Sequence, residues 1–99
     1  MTNSNIIATG KTSVRSKRNT IQIWVEGSKP AKAGFTKGKY FNYTLSDGAM
    51  IVTLCDYPCR TVSSRNTLDI TTKELEQYFV AGDKLAVTYA EGLITFRRI

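Results

Sequence analysis

The feature that most narrows the fold is that the 99-residue chain resembles itself. Ser16-Lys17-Arg18-Asn19-Thr20-Ile21-Gln22-Ile23 matches Ser63-Ser64-Arg65-Asn66-Thr67-Leu68-Asp69-Ile70. Phe35-Thr36-Lys37-Gly38-Lys39 matches Phe79-Val80-Ala81-Gly82-Asp83, and Tyr40 to Leu54 then tracks Lys84 to Arg98. Within that last stretch Asp47-Gly48 falls on Glu91-Gly92 and Met50 on Ile94, with a slip of three residues between the blocks. Blocks in the same order with glycines aligned point to duplication, so one supersecondary unit must pack twice.

Each copy reads alike. A strand with alternating apolar residues opens it, Thr20 to Val25 and Thr67 to Thr71. A short helix follows. In the second copy it covers Thr72 to Phe79, with Thr71 or Thr72 as N-cap and Leu75, Tyr78 and Phe79 on one face. In the first copy Pro30 suits the first helical turn and Gly34 its end. A hairpin completes the unit: Tyr40–Leu45 with Ala49–Thr53 around Asp47-Gly48, and Lys84–Tyr89 with Leu93–Arg97 around Glu91-Gly92. A lone hairpin cannot bury its apolar face, so each copy needs the other. The expected fold is mainly β with short helices, a small swapped-hairpin β-barrel formed by two internal repeats. Residues 1–11 read as a flexible N-terminal segment ahead of a single domain, 12–99, with repeats at about 12–54 and 60–99.

The order strand, short helix, Gly turn and acidic-Gly hairpin resembles the AbrB/MazE swapped-hairpin superfamily. Gly27 to Lys39, followed by the Gly48 hairpin, looks like its SymE branch. The second copy resembles the AbrB repeat through Leu68-Asp69-Ile70, Lys73-Glu74-Leu75, Gly82 to Val87 and Gly92 to Phe96. The usual proline before the helix is missing from the second copy, where Thr71 and Thr72 stand. The resemblance implies two interlocked hairpins, usually in a homodimer, and DNA binding through the N-terminal strands and their basic loops. It also implies roles in transcription regulation or toxin–antitoxin systems, and for the SymE branch an RNA-directed toxin.

Charge points the same way. With 14 Lys and Arg against 8 Asp and Glu, the net charge is +6, a field that attracts polyanions. Candidate nucleic-acid contacts are Arg18-Asn19-Thr20 and Arg65-Asn66-Thr67 at matched places, with Lys11, Arg15 and Lys17 before the first of them. Lys29 and Lys32, with Lys37, Lys39, Tyr40 and Tyr43, form a second cationic and aromatic set, although such tyrosines are more often half-buried strand residues. Trp24 is read as core. DNA is favoured over RNA as the partner. A phage- or plasmid-type inhibitor that grips a host defence complex, as an anti-CRISPR protein does, is the alternative reading.

Other classes find little support. Histidine is absent, and no nucleophile motif or Gly-rich phosphate loop occurs, so no enzyme, metal or cofactor is expected. Cys55 and Cys59 cannot complete a four-ligand zinc site in one chain. A disulfide across their Pro-containing turn is sterically possible, but in a cytoplasmic protein free thiols are expected. There is no run of about eighteen apolar residues, and Met1 to Asn5 lacks the features of a secretory signal. A cytoplasmic location without membrane contact is therefore expected.

Overall fold

The computed structural model describes residues 6–57 and 59–99. In chain order these form β1 (Ile6–Ser13), β2 (Arg15–Lys17), β3 (Thr20–Val25), α1 (Ser28–Lys32), β4 (Tyr40–Ser46), β5 (Ala49–Cys55) and β6 (Arg60–Thr61). A 3₁₀ turn at Ser64–Asn66 leads to β7 (Leu68–Thr71), a second 3₁₀ turn at Lys73–Gln77, then β8 (Lys84–Ala90) and β9 (Leu93–Arg98). The protein is mainly β, in two sheets. One has the order β1-β8-β9-β5-β4-β6, the other β2-β3-β7.

The hairpins form where the sequence places them. Ser46 pairs with Ala49 and Ala90 with Leu93, leaving Asp47-Gly48 and Glu91-Gly92 as two-residue turns. Gly48 (φ 71°) and Gly92 (φ 69°) take the left-handed conformation that closes them. The second helix tightens to a 3₁₀ turn. Thr72 caps it by accepting from the Glu74 N–H, and its buried Leu75 and neighbouring Phe79 anchor it.

Pairing between the copies follows a local twofold. In β3–β7 the matched residues Ile23 and Ile70 lie directly opposite each other. In β5–β9 the matched residues Ile51 and Thr95 do the same. The flanking bonds repeat the symmetry. Val14 donates to the Asp83 carbonyl (2.9 Å) and accepts from Gly82 (2.8 Å), while Val62 donates to Lys39 (2.9 Å) and accepts from Gly38 (2.9 Å). The lead-in of each copy thus clasps the hairpin of the other. Between the sheets lies one core, in which Ile23, Ile70, Phe35, Phe41, Met50, Ile94 and Phe96 are all essentially inaccessible.

One expectation needs correction. The flexible start given for residues 1–11 does not hold from Ile6 onward, because Ile6–Ser13 is a strand paired along β8; residues 1–5 lie outside the described residues. The reason is tertiary: without β1 the long outer edge of β8 would be left open. The sulfurs of Cys55 and Cys59 lie next to each other. Cys55 pairs with Tyr40, and Arg60 with Phe41 on the opposite edge of β4, so the short link between them must cross that strand. The crossing brings the two sulfurs together.

Asp69 on β7 shows how polar groups support the smaller sheet. It accepts hydrogen bonds from Gln22 (2.8 Å) and Thr71 (2.6 Å) and lies 3.6 Å from the Lys17 ammonium. Burial, the largest influence, pushes its carboxyl upward, but the Thr71 and Gln22 donors and the Lys17 charge outweigh it and hold the group below the usual carboxylate value. A carboxyl lowered on folding from about 3.9 adds stability at neutral pH and loses that share as pH falls through its folded value. The urea midpoints of wild type and Asp69→Asn should therefore differ at neutral pH and converge as the pH falls into strong acid. A gap that persists into strong acid would show that the ionised carboxylate is not what stabilises the fold.

Candidate nucleic-acid interface

The chain leaves the large sheet at Ser13, turns through buried Val14 and enters the small sheet at Arg15. Where the sheets part, an open groove of about 390 Å³ lies between β1, β3 and α1, with Tyr89 of β8 at one wall. Three cations from three elements line it: Lys11 from β1, Arg15 from β2 and Lys29 from α1. Glu26 is the acid in the same lining, so the groove is net positive.

Two of these side chains, Arg15 and Lys29, are positioned by their surroundings. The Arg15 guanidinium lies 4.9 Å from the centroid of the Trp24 ring, a cation–π stack that holds it over the groove. Thr12 donates to the Trp24 carbonyl (3.3 Å), joining the two strands that form the walls. The Lys29 ammonium donates to the Thr9 carbonyl (2.7 Å). Gly10 allows this approach, because a Cβ there would stand 3.2 Å from the Lys29 nitrogen. Burial raises the Tyr89 hydroxyl above its ordinary value, so this wall is uncharged at neutral pH.

No protein-family model, curated protein or solved structure matches this chain.

The arrangement sorts the residues singled out from sequence. Lys11, Arg15 and Lys29 converge. Lys32, on the exposed side of α1, is not part of the groove lining. Lys17 is engaged with Asp69. The two threonines are structural: Thr20 donates to Glu76 of the second copy (2.9 Å) and Thr67 to Glu26 of the first (3.1 Å), tying the repeats together. Asn66 accepts from the Lys37 N–H (3.1 Å), whereas Asn19 stays exposed in the β2–β3 turn. Trp24, read as core, is instead half-exposed at the groove wall. Alternation along β3 could not decide its facing, because both faces of that strand are covered.

Arg18 and Arg65 are different again. Both occupy the left-handed region, at φ 55° and 62°. Among the described residues neither side chain has a hydrogen-bond or ion-pair partner. Since β3 and β7 run antiparallel, the two turns lie at opposite ends of the ribbon, about 17 Å of strand apart, rather than side by side. A left-handed conformation costs a non-glycine residue roughly 1–2 kcal/mol. Arg18→Gly and Arg65→Gly are each expected to raise stability by about 0.5–1 kcal/mol, read as a higher urea midpoint. A lowered midpoint would mean that the arginine stems are themselves packed against the fold.

Proposed function

We propose that this chain is a nucleic-acid-binding protein that holds duplex DNA along the groove of Lys11, Arg15 and Lys29. The observation that carries the reading is the convergence of those three cations, from three separate elements, beside the Arg15–Trp24 stack. Guanidinium and ammonium groups held at a concave, net positive surface suit phosphate oxygens, and Arg15 is free to fork onto phosphate or a guanine edge. Arg18 and Arg65, exposed at the two ends of the β3–β7 ribbon, extend the cationic surface beyond the groove. The fold beneath is read as a swapped-hairpin barrel with both halves in one chain. The exchanged pairing of β1 with β8 and β6 with β4 supports that reading. A regulatory or accessory role goes with that reading.

The test is fluorescence anisotropy on a labelled duplex across a salt series. A site that neutralises three phosphates should give a log–log slope near about −2.7, and each further contact from Arg18 or Arg65 should steepen it by about 0.9. Affinity that is flat with salt, or no binding at low salt, would overturn the proposal. Tighter binding to a matched RNA duplex would reassign the partner.

A further inference from the structure

The twofold leaves one position unfilled. The outer edge of β8 is covered by β1 from Ala8 to Ser13. Its repeat equivalent, β4, is covered by β6 only at Tyr40 and Phe41. From Asn42 to Ser46 that edge meets no strand among the described residues. The Tyr43 N–H is capped instead by the neighbouring Asn42 side chain, at 2.9 Å. Beside the bare edge lies a slot of about 230 Å³ lined by Tyr43, Leu45, Glu74, Gln77 and Tyr78. In the other half the matching position, between helix and hairpin, is occupied by β1, and Lys29 of α1 donates to its Thr9 carbonyl.

We propose that β4 accepts, along Asn42–Ser46, one antiparallel strand from a protein partner. That strand is an extended peptide with small residues at alternate positions and a cationic side chain near Glu74. The filled half supplies the template. There Ala8 and Gly10 lie opposite Tyr89 and Val87, whose repeat equivalents are Leu45 and Tyr43. Small residues facing the helix are what such a slot admits. Where the filled half offers a lysine to the strand, this half offers the exposed Glu74 carboxylate, which accepts from the Tyr43 hydroxyl and keeps its charge, so the favoured side chain is a cation. Strand addition at an open edge draws affinity from main-chain hydrogen bonds and selectivity from alternate side-chain positions.

The experiment titrates the isotope-labelled full chain with a capped synthetic peptide of the sequence Ile6–Ser13, which carries small residues at Ala8 and Gly10 and a cation at Lys11. Saturating peptide should slow amide exchange at Leu45 by roughly tenfold or more and shift the Tyr43 and Glu74 resonances. Asn42→Ala, which uncaps the Tyr43 N–H, should tighten the peptide several-fold without moving the thermal midpoint. A scrambled peptide should do neither. Unchanged exchange at Leu45 under millimolar peptide would overturn the proposal. So would shifts confined to Lys84–Ala90, which mean displacement of β1, or a dimer that protects Leu45 without peptide.

Discussion

Replacing Lys11 and Arg15 by Ala and Lys29 by Gln is expected to lower duplex-DNA affinity by roughly two orders of magnitude at low salt while leaving the thermal midpoint in place. All three side chains are exposed, so their removal opens no cavity. Gln at position 29 keeps a donor for the Thr9 carbonyl. With three phosphates no longer neutralised, the log–log salt slope should flatten by about 2.7. Arg15→Lys alone keeps the charge but loses the planar stack on Trp24, so it separates the two contributions. It should weaken binding while leaving the slope unchanged. Wild-type affinity in the triple variant would move the contact surface to the Arg18 and Arg65 turns.

The second large effect belongs to the twofold itself. Ile70→Ala is expected to destabilise the fold by about 2–5 kcal/mol, measured as a lowered urea midpoint. The side chain is fully buried, opposite its own repeat equivalent Ile23, and both sheets close over it. Such a loss is a large part of the roughly 5–15 kcal/mol that holds an ordinary domain together. Because Ile23 and Ile70 pair directly, Ile23→Ala with Ile70→Ala should not equal the sum of the single effects. A cost for Ile70→Ala below about 1 kcal/mol would mean that the site collapses freely and does not organise the core.

Much of the architecture is legible in the sequence because the deciding signals are local. Asp47-Gly48 and Glu91-Gly92 stand between alternating runs, and the glycines specify both turns without tertiary help. β1 is not legible in that way. Ile6-Ile7-Ala8-Thr9-Gly10 has little alternation of its own, and the edge of β8 decides its structure. The groove was half visible. Lys11, Arg15 and Lys29 stand out as cations, but it is the pairing of β1 with β8 that brings the first beside the other two. The threonines misled because their hydroxyls serve glutamates on the opposite repeat, a bond that spans more than forty residues of chain. The left-handed arginines gave no signal, since nothing in an Arg-Asn pair announces its φ.

The pairing of β1 with β8 also governs how the molecule comes into being. Among the described residues the strand that pairs with β1 is β8, more than seventy residues later. During synthesis β1 therefore emerges well before the strand it pairs with. Such long-range closure favours slow, all-or-none assembly, so a chain cut between the copies should yield two sticky fragments rather than two working domains.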